Sequence, residues 1–150
     1  MLIAVLVFAT PALSDPLSLE KNVYLGPIEC EMDEIVMNGN EITMEYTGFI
    51  HEASETGEKG KQFDTSRGRE EGPMKLQIGI GDVIKGWDEG LLGLCKGAKA
   101  TIVIPPEFGY GDEGSFEYKI PGGATLLYDV GAYITLLQKS RHVLLFHFSC

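Results

Sequence analysis

Apolar residues recur at period two through most of the chain and change to a helical period only once, and this limits the folds open to it. From Glu41 to Ile50, Ile42, Met44 and Tyr46 alternate with Thr43, Glu45 and Thr47. Successive side chains of a strand point to opposite faces, so this run predicts a half-buried strand. Met74, Leu76 and Ile78 repeat the pattern, as do Ala98, Ala100, Ile102 and Ile104 up to Pro105-Pro106, where neither proline can donate to a sheet ladder. Leu126, Tyr128, Val130, Ala132, Ile134 and Leu136 form the last alternating run, and Gly131 within it predicts a bulge or bend. The polar, glycine-bearing stretch from His51 to Gln62 reads as an exposed loop or hairpin tip before a short strand near Phe63.

After Gly79 and Gly81 the period changes, and Val83, Trp87, Leu91 and Leu94 fall on one stripe of a short helix with Asp82 near its positive end. One amphipathic helix and about five strands can bury their apolar faces only against each other. The expected fold class is therefore α+β with a mostly antiparallel sheet, not a βαβ stack. At 150 residues the chain suits a single domain.

The net charge of −10 has no basic stripe to offset it, which argues against nucleic acid as a partner. Residues 1–14 carry no charged side chain, and the apolar run ends in Ala12-Leu13-Ser14, which has the form of a cleavage site. A signal peptide is expected there, with the domain over 15–140. A buried N-terminal strand or a clipped start is the alternative, because the basic n-region is missing. The run is too short to span a bilayer, and so is the apolar tail over 141–150, to which no role is assigned.

Cys30, Cys95 and Cys150 show no metal-ligand spacing, so a disulfide fits better than a zinc site. No metal and no cofactor is expected. Gly81 and Gly86 have phosphate-loop spacing, but Trp87-Asp88 follows where Lys and Ser or Thr would be needed. His51, His142 and His147 lie in a polar loop and in the tail, away from any nucleophile motif.

Aromatic residues near the ends of the elements, Tyr46, Phe63, Trp87, Tyr110 and Tyr128, would ordinarily be core packing. Their surroundings are more specific. The segments Tyr46-Thr47-Gly48, Phe63-Asp64-Thr65-Ser66-Arg67, Val83-Ile84-Lys85-Gly86-Trp87-Asp88-Glu89-Gly90-Leu91, Ile104-Pro105-Pro106-Glu107-Phe108-Gly109-Tyr110-Gly111 and Ile120-Pro121-Gly122-Gly123-Ala124-Thr125-Leu126 resemble, in order and spacing, the FKBP-type peptidyl-prolyl cis/trans isomerases. The resemblance runs from about Cys30 to Val130.

It implies a curved antiparallel sheet wrapped around one short helix, with the substrate proline seated on Trp87. Tyr46, Phe63, Val83, Ile84 and Tyr110 match other pocket positions, and Ile120 matches the apolar residue that closes the pocket. Asp64 and the Ile84 N–H match groups that hydrogen-bond bound ligands, and Arg69 fits a position that pairs with the aspartate. Cys30 and Cys95 resemble the disulfide-forming pair of the family's secretory members, which places the protein in the secretory pathway, in the endoplasmic reticulum lumen or exported. Its partners would be X-Pro segments of client proteins and macrolide ligands, bound by a monomer.

Met74 stands where the family usually has phenylalanine, and Tyr128 adds a hydroxyl to another phenylalanine position. The loop Asp112–Lys119 is one residue longer than in compact members, and Gly131–Ile134 resembles an insertion. The activity implied is isomerisation of X-Pro bonds by desolvation and positioning. The alternative is a proline-peptide or macrolide-binding chaperone module with little activity.

Overall fold

The computed structural model describes residues 18–131. Expectations for residues 1–14, for Ala132, Ile134 and Leu136, for Cys150 and for the tail over 141–150 lie outside the described residues. The elements are β1 (Glu20–Leu25), β2 (Glu41–Ile50), β3 (Gln62–Thr65), β4 (Met74–Gln77), α1 (Lys85–Gly90), β5 (Lys99–Ile104) and β6 (Leu126–Gly131). The strands form one antiparallel sheet in the order β1-β5-β6-β2-β3, and β4 pairs with β2 off this path. The fold is α+β.

β2 is long enough to serve two sets of neighbours. Its first half pairs with β4, Ile42 opposite Leu76 and Met44 opposite Met74, and its second half lies between β6 and β3. The alternation seen in the sequence is realised as burial. Ile42, Met44 and Tyr46 of β2, Ala100, Ile102 and Ile104 of β5, and Leu126, Tyr128 and Val130 of β6 are all buried and form one core with Trp87 and Leu91.

The helix approaches this face closely because two of its residues lack side chains. A Cβ at Gly86 would lie 2.4 Å from Ile104 Cγ2, and one at Gly90 would lie 2.9 Å from Ile102 Cγ2. Only glycine fits at such separations, so the Gly86/Gly90 spacing sets how near Trp87 comes to the sheet.

The structure corrects several expectations. The helix holds six residues and does not extend from Val83 to Leu94, because Ile84 is extended (ψ 144°) and Gly93 has φ +77°. Leu91 and Leu94 are nonetheless buried, since the turn continues from Trp87 O to Leu91 N. No side chain caps the helix start. Asp88, in its first turn, instead accepts hydrogen bonds from Gly79 N and Gly81 N, bracing the preceding loop. The sheet has six strands where periodicity indicates about five, because the edge strand β1 exposes both faces and carries no alternation. Both neighbouring ladders keep register up to Gly131, the last described residue. Its lack of a side chain leaves room for Arg67, whose Nη2 would lie 3.0 Å from a Cβ there.

The loop after β2 is less free than its polarity indicates. Ser54 is buried, its hydroxyl donating to Thr56 O and accepting from Thr125 N, so this loop is tied to the segment leading into β6. Cys30 and Cys95 form a disulfide with Cα atoms 6.0 Å apart. Closing a loop across 65 residues constrains the unfolded chain by roughly 4 kcal/mol in the entropy model. No helix among the described residues is long and apolar enough to cross a membrane.

Candidate active site

A cleft of about 280 Å³ opens between the start of α1, the middle of β2 at Tyr46 and the loop before β6. Trp87 is 4% exposed and forms part of its lining from the helix side. Two tyrosines stand edge-on to it: the Tyr46 and Trp87 centroids are 4.8 Å apart, and those of Trp87 and Tyr128 are 5.0 Å apart. T-shaped pairs of this kind add about 0.5–1.5 kcal/mol each beyond area burial, so the indole is held in one orientation. Its N–H has no hydrogen-bond acceptor among the described residues.

Asp64, from β3, is enclosed by donors. Tyr46 Oη donates to its Oδ2 at 2.6 Å, while Thr65 N at 2.8 Å and the Arg69 guanidinium donate to Oδ1. The carboxylate therefore fixes the Tyr46 ring, and its own position is set from both sides. Ile84, which also lines the cleft, makes no hydrogen bond through its N–H among the described residues, while its carbonyl accepts from Trp87 N.

Burial first, then the Asp64 hydrogen bond, pushes the Tyr46 hydroxyl well above the usual phenol range. Burial does the same, more strongly, to Tyr128. Tyr110 is pushed up to about 12, chiefly by burial and then by Tyr118. The phenols lining the cleft are thus neutral donors throughout the physiological range.

Of the residues singled out from the sequence, Tyr46, Asp64, Met74, Val83, Ile84, Trp87, Tyr110 and Tyr128 line this one cleft. Three do not. Phe63 stands behind Tyr128, at 5.6 Å between centroids, and supports that ring from outside. Ile120 is 4% exposed and belongs to the core. Arg69 lines an adjoining cavity and reaches the site through Asp64. Two lining residues are not among the site residues expected from the sequence, Asp82, which the apolar pattern places only near the helix's positive end, and Tyr118. Tyr118 comes from the lengthened loop, where spacing gives no register to count from; its ring lies 6.0 Å from that of Tyr110.

The model of the FKBP-type peptidyl-prolyl cis-trans isomerase family matches residues 32–132. The chain belongs to this family. The isomerase is 42% identical to FK506-binding protein 2 of Aspergillus fumigatus over 124 residues, covering 83% of this chain and 82% of that one. It is 51% identical to FK506-binding protein 1 of Gibberella zeae over 92 residues, which is 61% of this chain and 78% of the relative. It is also 47% identical to the peptidyl-prolyl cis-trans isomerase FKBP2 of Mus musculus over 92 residues, or 61% and 59% of the two chains. Among solved structures, that of AtFKBP13 is similar with a TM-score of 0.57 at 30% identity, covering 76% of this chain and 88% of that one. Its activity is accordingly peptidyl-prolyl cis-trans isomerisation.

Proposed function

We propose that the cleft over Trp87 is where the isomerase binds the X-Pro bond, with the proline ring on the indole and Tyr46 and Tyr128 standing at its edges. The observation that carries this is the ring geometry, an apolar floor fixed by two edge-on contacts in a cleft with the Asp64–Arg69 charge pair at its side. Val83, Ile84 and Met74 supply the remaining apolar contact, Phe63 backs Tyr128, and Ile120 supports the loop from the core.

Rotation about an X-Pro bond faces a barrier of about 20 kcal/mol because the planar amide is stabilised by resonance. The twisted amide has lost that resonance, and its carbonyl is less dipolar. A site that removes water disfavours the planar form more than the twisted one, and each 1.36 kcal/mol of difference gives about tenfold in rate. The free Ile84 N–H would hold a carbonyl on the C-terminal side of the proline, and the Tyr110 hydroxyl would donate to a neighbouring one. Asp64 positions Tyr46 and transfers no proton. A Trp87→Leu variant compared with the parent protein on a short X-Pro peptide, by protease-coupled or NMR exchange measurement, tests this; unchanged turnover would refute it.

The clients we assign are X-Pro segments of proteins folding in the secretory pathway, in the endoplasmic reticulum lumen or on export. The Cys30–Cys95 disulfide supports this, because such bonds persist in oxidising compartments. Macrolide binding at the same cleft is supported by relatives named FK506-binding proteins. A monomer suffices, since every group in the proposed site comes from one chain. Tagged protein should co-fractionate with luminal markers; a cytosolic pool alone would contradict the assignment.

A further inference from the structure

The cleft does not end at Tyr46. A second cavity, of about 790 Å³, shares Tyr46, Met74 and Tyr118 with the first and continues toward Arg69, Glu71 and Lys75. Its size falls within the roughly 300–1,000 Å³ of ligand sites, whereas the first cavity alone is smaller. Ile84 lines only the first cavity and Arg69 only the second, so the two ends of the combined groove differ in chemistry.

We propose that this second cavity is a subsite for client residues N-terminal to the X-Pro bond, and that it favours acidic side chains there. The inference rests on the proline seat over Trp87 described above. If Ile84 N–H holds a carbonyl on the C-terminal side, the preceding residues leave past the neck formed by Tyr46, Met74 and Tyr118. Beyond it they meet Arg69, whose charge is already paired with Asp64, together with Glu71 and Lys75, so Lys75 is the cation of this lining without an ion-pair partner among the described residues. Arg69 uses one Nη2–H on Asp64, and its side chain is 46% exposed, which leaves guanidinium donors facing the groove. Lys75 is exposed and has no ion-pair partner among the described residues. An extended acidic segment thus gains attraction without displacing an existing pair, whereas a basic one faces Arg69 and Lys75.

The test measures kcat/KM at low salt for X-Pro peptides bearing Glu, Gln or Lys at the second and third positions before proline, and for a minimal peptide blocked just before X. The full chain and its Lys75→Glu and Lys75→Gln variants are compared. Expected is the order Glu over Gln over Lys, each step about two- to fivefold, as exposed ion pairs allow, compressed by added salt. Lys75→Glu should flatten or invert that order while leaving the minimal peptide unchanged. Equal rates for the three long peptides, or a Lys75→Glu effect as large on the minimal peptide, would overturn the subsite. Binding of the minimal peptide without any change in Trp87 fluorescence would refute the proline seat itself, and the subsite with it; an intact fluorescence change with no charge order refutes the subsite alone.

Discussion

Gly48 sits directly opposite Tyr128 in the β2–β6 pairing, and a Cβ added at Gly48 would lie 2.8 Å from Tyr128 Cε1 and 2.6 Å from Phe63 Cζ. The absent side chain is what lets Phe63 and Tyr128 meet edge-on and lets Tyr128 reach Trp87. A strand glycine in the middle of a sheet thereby shapes the proposed substrate site. Gly48→Ala should push both rings out of place, with a cost of about 1–3 kcal/mol from overpacking. Chemical denaturation measures the loss, and peptide affinity should fall in the same variant. A Gly48→Ala protein with parental stability and affinity would show that the rings are not held this way.

Trp87 is the only tryptophan, so binding over it should change the protein's fluorescence in intensity or wavelength. Trp87→Ala should lower stability by about 3–5 kcal/mol, the range for emptying a large aromatic site in a core. It should also abolish binding, which titration with a proline peptide under folding conditions would check. Tight binding to the parent protein without a spectral change would place the ligand elsewhere.

The Cys30–Cys95 bond should be found oxidised by peptide mapping without prior reduction. Replacing both cysteines with alanine should cost up to roughly 4 kcal/mol, the loop-entropy value for a separation of 65 residues. Since Cys95 is 2% exposed, reduction in the native state should be slow. Recovery of both residues in alkylated form from native secreted material would remove the bond from the account.

The parts of the fold legible in the sequence are those whose burial repeats. Ile42, Met44 and Tyr46, or Ala100, Ile102 and Ile104, announce a strand because one face meets the core and the other does not. β1 shows no such signal, since Glu20–Leu25 holds the sheet edge by backbone pairing with β5 and buries almost nothing. The apolar stripe locates the helix at Trp87 but overstates its length, because Leu91 caps its end and Leu94 stays buried beyond the left-handed Gly93. At the site, the residues matched by motif gather in one cleft where the motif is rigid, as in the Val83–Trp87 stretch. Tyr118 is not legible, because its loop has its own length and contacts the sequence does not announce, the pairing of Ser115 with Ile120 and the Tyr118 N–H to the Ser115 hydroxyl, place the ring.

The last prediction concerns pH, where stability and activity should respond to different groups. Among the described residues no histidine lines the cleft, and burial raises the ionisation of its phenols, so the cleft has no imidazole or phenol that changes charge between about pH 5.5 and 8. Turnover of a short peptide should be nearly flat across that window. Stability has a different limit. A tyrosine whose ionisation is raised in the folded state holds its proton longer than the same tyrosine in the unfolded chain. Its contribution is fully present below the unfolded value of 10.0 and is lost as pH rises from there through the folded values, about 12 for Tyr110 and higher for Tyr46 and Tyr128. Unfolding free energy should therefore begin to fall near pH 10, and phenolate absorbance from these three residues should be absent from the folded protein at pH 10, where unfolded tyrosines already ionise. Tyr128→Phe should weaken the alkaline loss of stability and leave the neutral pH profile flat. Asp64→Val should reduce activity only in part at every pH in the window, because it releases the Tyr46 hydroxyl and Arg69 without removing a proton carrier. A bell-shaped activity profile centred near neutrality, or complete loss of turnover on replacing His51, would overturn desolvation as the mechanism and require an acid–base pair at the site.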